Sequence, residues 1–590
     1  MAVIFRSFPR RQGAGLTGFG LILSLWLAVS MAVSADVPAQ TADPAGVPKP
    51  ERHGRDRPDL PPYLEEAPRP LPLRPEPGPP PEAPTLQASP RVFVRAIRWS
   101  GNTVFSNDEL SRLAADLLNR EISFAELEAL RLRVTRHYIA RGYVNSGAVI
   151  PDQEVVSGEI RVHIVEGRLA EVRVSGNRRL QPPYIRSRLM TGAGIPLNLN
   201  DLQAEVQILH QNPLIDQIRA ELSPGLRPGG AVLEAEVSEA SPYVLGIEIG
   251  NRWSPRVGST GGEFYAAHRN LSGLGDTLGL RYAATRGLQD LIAHYMLPIT
   301  PRDTQLRFRY EYTDADVVEE PFEDLDITGR ADTFAVEVAH PFYRTPAREL
   351  TLALRGEVRH SQTTLLGEPI SFAPGVSDWE SDVSVIRFTQ DWLSRSRFRV
   401  FAVRSVFSIG LDAFGATVRE DGLPDGRFFA WLGQVQWAGR MPALGGSQFI
   451  FRTDMQFCDQ SVLPLEKFSV GGATSVRGYR EDEFVRDNAV VSSLELRVPV
   501  LRLPLPGLSK TGEDGMVQVA AFVDWGWSEN VDTETFGPRT IAGAGPGLRW
   551  DPSPGLQAQI YWGIPFRDID YGSSDLQNEG IYFQVNCLIF

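Results

Sequence analysis

The run LPLEKFSVGGATSVRGYRED, residues 463–482, decides how this chain is read. Ahead of it, residues 448–456 alternate polar Gln448, Arg452, Asp454 and Gln456 with Phe449, Phe451 and Met455; residues 492–498 alternate again after it. A period of two marks a half-buried strand, so 463–482 joins two strands. Paired Gly471 and Gly472 precede Val476-Arg477-Gly478-Tyr479. Glycine permits backbone shapes closed to other residues, so the chain folds tightly at Gly478 while Arg477 projects. Away from bulk water, that guanidinium needs an anionic partner.

A candidate partner lies in VQVAAFVDWG, residues 517–526. Val517, Val519, Ala521 and Val523 share one strand face, and Gln518, Ala520, Phe522 and Asp524 share the other. Asp524 is therefore on the polar face, within reach of a loop arginine folded into a barrel. The competing reading, two separately solvated charges, ignores the glycines around Arg477 and the strand patterning around both residues.

That patterning extends over 242–590. Leu306, Phe308, Tyr310 and Tyr312 oppose Gln305, Arg307, Arg309 and Glu311. Phe429, Trp431, Val435 and Trp437 oppose Gln434 and Gln436, and Leu494, Leu496 and Val498 oppose Ser493, Glu495 and Arg497. A soluble sandwich alternates too, but outward aromatics and a charged opposite face fit a membrane β-barrel, where every backbone group must join a closed ladder. Sixteen antiparallel strands leave about 22 residues for each strand and its connection; fourteen or eighteen also fit. The final strand, 581–590, ends on Phe590. Counting back by two from there gives Leu588, Asn586, Gln584 and Tyr582, while the apolar set is Ile589, Cys587, Val585 and Phe583. Either a bulge shifts the register or the terminal pattern is imperfect.

Two smaller units precede the barrel. In 91–167 a strand around Val92, Val94 and 97–99 turns at Ser100-Gly101-Asn102. A helix over 106–118, capped by Ser106 or Asn107, follows, then an amphipathic helix with Leu127, Leu130, Val134 and Tyr138 at helical spacing, and strands at 144–150 and 159–165. The pattern repeats in 168–241. Residues 171–177 echo 96–102, including the Ser-Gly-Asn turn, and helices near 184–190 and 199–210 precede strands near 217–222 and 231–237.

At the N-terminus, Arg6, Arg10 and Arg11 precede an apolar run over 16–33 and the small residues Val33-Ser34-Ala35, an export signal over 1–35; an uncleaved anchor is the alternative. Residues 36–90 hold 17 of the 45 prolines and too few large apolar residues for a core, hence a Pro-rich linker.

Composition narrows function. A formal charge of −13 without basic, aromatic-interleaved clusters argues against nucleic-acid binding. Cys458 and Cys587 make neither a zinc framework nor a disulfide scaffold, and two separate thiols are expected. There is no phosphate loop, no HExxH and no GxSxG, and Glu65-Glu66 and Glu319-Glu320 read as solvated loop charges. The chain is read as a non-enzyme with no cofactor and no metal.

VRGY at 476–479 and FVD at 522–524 resemble the lid-loop motif and its barrel-wall partner in POTRA-containing outer-membrane transporters. The match is best to the two-partner secretion transporters of the haemolysin secretion/activation family, over about 91–590. Residues 270–276, NLSGLGD, look like the turn motif early in that family's barrel. The resemblance implies two POTRA domains in the periplasm, a barrel in outer-membrane lipid inserted by the barrel-assembly machinery, and a lid loop near 463–488 held by Arg477 on Asp524. It implies a monomer that exports a large secreted exoprotein, adhesin or haemolysin-like, without ATP. It also points to a plug segment within 36–90, for which 59–66 is the one weak candidate, against a simple spacer. A barrel-assembly factor and a small-solute porin are the alternatives; two repeats speak against the first, and the repeats and loop motif against the second.

Overall fold

The computed structural model describes Tyr63 and residues 91–589, except 370–379, 420–423, 425, 513, 570 and 572–573. The export signal, most of the Pro-rich linker and Phe590 therefore lie outside the described residues.

The first unit forms because its apolar residues fall at two periods. Residues Phe124–Ile139 make a helix that buries Leu130, Val134 and Tyr138, and its start is a reciprocal cap between Ser123 and Glu126. The first helix is shorter than expected. Capped by Ser106, it runs Asn107–Leu113 and breaks into a 3-10 turn at Ala115–Leu117. The chain then forms an extra strand, Arg120–Ile122, on Val92–Val94. Ala96–Ser100 pairs parallel with Glu159–Val165, which is flanked on its other side by Gly147–Val149, shorter than the expected 144–150.

In the second unit, helices Pro182–Thr191 and Leu199–His210 cover a sheet in which Arg168–Ser175 runs parallel to Gly230–Glu239, with Ile215–Pro224 antiparallel at the edge. Both sheets share one connectivity, the last strand lying in the middle. The repeat extends to atoms: Asn102 Nδ2 donates to the Phe105 carbonyl and Asn177 Nδ2 to that of Leu180, each at 2.8 Å.

Residues from Tyr243 onward close a barrel. Sixteen antiparallel strands, with two-residue extensions at Glu368–Pro369 and Ile564–Pro565, run from Tyr243–Gly250 to Ile581–Leu588. The last pairs with the first, from Gln584 opposite Gly250 to Leu588 opposite Gly246. Of the three counts that fitted the length, sixteen is realised. No described helix is long and apolar enough to cross a membrane; the crossing element is the strand.

The alternation sorts as expected. Phe308, Tyr310, Leu494 and Leu496 are exposed on the outer wall, while Gln434, Gln436, Ser493 and Glu495 are buried inside. The closing strand pairs in unbroken register with Leu556–Trp562, so no bulge intervenes. Val585 and Ile589 are exposed and Tyr582 is buried, which puts the apolar set outward and the Tyr582 series inward. Cys458 and Cys587 are free thiols.

The turn 270–276 points into the second unit. A Cβ at Gly275 would lie 2.7 Å from the Tyr184 ring, and one at Gly273 would lie 2.9 Å from the Gln181 side chain, so only glycines let the turn approach this closely. Gln181 donates its amide to the Gly273 carbonyl at 2.9 Å. In the neighbouring turn, Asp303 takes Arg188 Nε at 3.0 Å and Arg344 Nη1 at 2.6 Å, joining helix Pro182–Thr191 to the barrel rim.

Candidate functional site: a lid pinned inside the barrel

The connection 459–487, between strands Ser447–Cys458 and Asn488–Arg502, folds into the lumen. Its base is tied by buried Asp487, which accepts the amides of Val462 at 3.0 Å and Val531 at 2.9 Å and pairs with Lys467 at 3.0 Å. Phe468–Val470 pairs antiparallel with Phe484–Arg486. Phe468, Val470, Val476 and Tyr479 pack on Ala489, Val491 and Ile541 of the wall, so the loop buries an apolar core of its own and is more than a polar connection. The backbone reverses at Gly471, Gly472 and Gly478, with φ of 114°, 98° and 106°, values that favour glycine.

Arg477 is 6 % exposed. Its Nε donates to Asp524 Oδ2 at 2.7 Å and its Nη2 to Oδ1 at 2.9 Å, a bidentate fork, and its own amide adds a third bond to Oδ2 at 3.0 Å. Nη1 donates to Glu495 Oε2 at 2.7 Å and Nη2 to Ser493 Oγ at 3.2 Å. The guanidinium carbon sits 3.5 Å from the Phe522 ring centroid and 4.9 Å from that of Tyr561, a cation-π arrangement. Glu495 takes the Tyr561 hydroxyl at 2.9 Å and Arg497 Nε at 2.5 Å. Every polar edge of the guanidinium is thus matched, the condition under which a charge survives away from water.

The six residues singled out from the sequence meet here. Val476 lies in the lid core, Arg477 on the wall, and Gly478 gives its amide to the Tyr582 hydroxyl at 2.9 Å. The Tyr479 carbonyl accepts from Tyr582 at 2.6 Å, and its hydroxyl donates to the Ala542 carbonyl at 3.1 Å. Phe522 and Asp524 form the opposing surface. Sequence reasoning did not assign roles to Ser493, Glu495, Tyr561 or Tyr582. For Ser493 and Glu495 the signal existed, since both lie on the polar face of 492–498.

It also passed over Gly543 and Gly545. These line the wall beneath the lid, where a Cβ on Gly543 would stand 2.2 Å from the Arg477 carbonyl oxygen. One expectation is corrected: Glu319, read as a solvated loop charge, receives Arg480 Nη1 of the lid at 2.7 Å, the two side chains being 13 % and 10 % exposed. The loop carrying Glu319 thus meets the lid, so a loop carboxylate there need not face solvent.

A closed sixteen-strand barrel, two α+β units at one end and a lumenal lid define an outer-membrane transporter with a periplasmic arm. Residues 229–550, more than half of the chain, match the haemolysin secretion/activation protein ShlB/FhaC/HecB family, and residues 92–167 match a ShlB-type POTRA domain. The chain belongs to that family, the outer-membrane transporters of two-partner secretion, which export partner exoproteins and are not enzymes. It is 24 % identical over 481 residues to the outer membrane transporter CdiB of Escherichia coli O6:K15:H31, covering 80 % of this chain and 78 % of that protein. Identity to the heme/hemopexin transporter protein HuxB of Haemophilus influenzae (strain Rd) is 21 % over 395 residues, 63 % and 66 % of the two chains. Among solved structures, CdiB from Escherichia coli shares the fold with a TM-score of 0.65 at 22 % identity, over 86 % of this chain and 92 % of that one.

Proposed function

We propose that the lumen of this barrel is the export path of one large exoprotein, adhesin or haemolysin-like, and that the lid held by Arg477 on Asp524 gates it. The observation behind the reading is the lid itself: a loop with its own core, seated in the lumen and gripped by a buried ion pair. In the domain scheme, a signal peptide (1–35) and Pro-rich linker (36–90) lead to POTRA domains at 91–167 and 168–241 and a barrel at 242–590.

Capture begins at sheet edges. Gly147–Val149 and Ile215–Pro224 are the outer strands of their sheets, and an unfolded passenger adds to such an edge through main-chain hydrogen bonds that need little sequence. The polar lumen then offers no apolar trap. Folding of the passenger outside supplies the drive, without nucleotide hydrolysis at this protein. The Arg440 guanidinium lies 4.9 Å from the Tyr63 ring centroid, on the inward face of strand Phe429–Met441; the rest of the plug candidate 59–66 lies outside the described residues. The barrel works as a monomer in outer-membrane lipid, delivered there by the barrel-assembly machinery.

Arg477→Ala leaves Asp524 and part of the Glu495 site without their cation, at a cost of about 3–5 kcal/mol for a sequestered pair. The expected outcome is a barrel that inserts but no longer secretes the exoprotein co-expressed with it. Wild-type secretion at equal membrane abundance refutes the gate. Depleting the protein separates the other readings: loss of one surface protein marks an exporter, and loss of many barrels marks an assembly factor.

A further inference from the structure

Arg477 grips one wall of the lumen; the other end of the lid carries the opposite charge to a different wall. Glu466, in the short turn Pro464–Glu466 that opens the lid, is 2 % exposed. Its Oε1 accepts Arg387 Nη2 at 2.9 Å and Arg359 Nη1 at 3.1 Å, and Oε2 accepts Arg387 Nη2 at 3.2 Å. Both arginines belong to the wall, Arg359 on strand Arg348–Leu365 and Arg387 on strand Glu380–Arg395. Between them Glu357 takes Arg359 Nη2 at 2.7 Å and Arg387 Nη2 at 3.3 Å, while Arg387 Nη1 donates to Ser408 Oγ at 2.8 Å.

Two buried arginines thus face two carboxylates, and one of the carboxylates arrives only with the lid. Around the barrel, strands Arg399–Leu411, Phe429–Met441 and Ser447–Cys458 separate this wall from Asn488–Arg502, which holds Glu495. Beside the turn, Val462 and Leu463 pack on Val383, Val385, Phe428 and Ala430, so the approach is dry and the charges are weakly screened.

We propose that Glu466 is a second latch of the lid, a positioning residue that neutralises the Arg359–Arg387 wall when the lid is seated and leaves it with an excess positive charge when the lid departs. The lid is then a dipolar strap, anion to one wall and cation to the other, and the seated position alone satisfies both. This builds on the gate reading above, and the test separates the two.

Full-length protein is purified in detergent, its folding checked by heat-modifiable gel mobility, and ion conductance measured in planar lipid bilayers in potassium chloride. Glu466→Gln is expected to open the resting channel several-fold, and Arg477→Ala is expected to do the same. The charge exchange Glu466→Arg with Arg387→Glu keeps the cluster paired and is expected to restore the closed channel, which a loss of mere packing would not. If Arg477→Ala stays closed, the gate reading itself fails. If Arg477→Ala opens while Glu466→Gln conducts as wild type, only the second latch is overturned. Should Glu466→Gln fail to fold, the exchange pair decides: a folded, closed channel supports the latch, and an open or unfolded one overturns it.

Discussion

At the scale of one residue, the choice of arginine at 477 follows from geometry. The side chain uses Nε, Nη1 and Nη2 on three acceptors and a face of the planar group on Phe522. An ammonium is a point charge on a flexible stem and cannot span Asp524 and Glu495 while stacking. Arg477→Lys is therefore expected to secrete as poorly as Arg477→Ala, with retained secretion above half of wild type counting against this account. Gly543→Val tests the same seat from the other side. It removes no charge, yet its Cβ would collide with the Arg477 carbonyl, which is fixed backbone. The expected result is an inserted barrel whose lid becomes accessible to protease; a protected lid would show that the wall yields instead. Arg477 and Asp524 were legible in the sequence because the glycines near the arginine, the strand patterning around both residues and the VRGY and FVD resemblance point to them together. Glu466 was not, since a glutamate after Pro464 in a loop has no local mark, and its partners lie far away along the chain.

At the scale of elements, the repeat predicts more than topology. Glu166, following the last strand of the first unit, accepts the Thr103 amide at 2.7 Å, the Val104 amide at 3.0 Å and the Tyr138 hydroxyl at 3.1 Å. In the second unit Glu239 accepts the amides of Arg178 at 2.7 Å, Arg179 at 3.0 Å and Leu180 at 2.9 Å. Each carboxylate thus caps the loop that follows its Ser-Gly-Asn turn. Burial pushes the Glu166 carboxyl up, but the Thr103 hydroxyl and the amide and tyrosine donors more than offset it, holding it below the usual range. A depressed folded-state value stabilises above the unfolded value, about 4.3 for glutamate, and that stability disappears as pH falls through the folded value. Glu166→Gln is expected to cost about 1–3 kcal/mol at neutral pH and progressively less in acid, read as thermal melting of the full chain at several pH values. A gap that persists undiminished below that range would assign the effect to shape instead of charge. The helix expected over 106–118 ended early for a tertiary reason: Arg120–Ile122 is drawn off to pair with Val92–Val94, which no local propensity signals.

At the scale of the molecule, the loop 459–487 occupies the lumen that is proposed here as the export path, so that proposal requires the loop to move. A Cβ at Gly526 would lie 2.8 Å from Val476 Cγ2, close to what a disulfide bridging the two positions needs. With Cys458→Ser and Cys587→Ser as background, Val476→Cys with Gly526→Cys is expected to stop secretion when oxidised and to recover it with reductant; secretion through the oxidised form would mean that the passenger passes a fixed lid. The N-terminal arm is fixed to the barrel through Arg188, Asp303 and Arg344 and through the 270–276 turn, so the second unit presents its edge strand from a defined position at the barrel mouth.

Sequence alone determined the class of fold, because period-two alternation, internal repeats and glycine-bearing turns are local properties that survive without coordinates. It also singled out Arg477 and Asp524, through the glycine context, the strand patterning around both and the motif resemblance taken together. Tertiary structure alone decided the strand count, the outward register of the last strand, the docking of Gly275 on Tyr184 and the partners of Glu466. Those depend on barrel closure, which brings residues distant along the chain into one lumen, where burial makes every unpaired charge costly and so selects its partner.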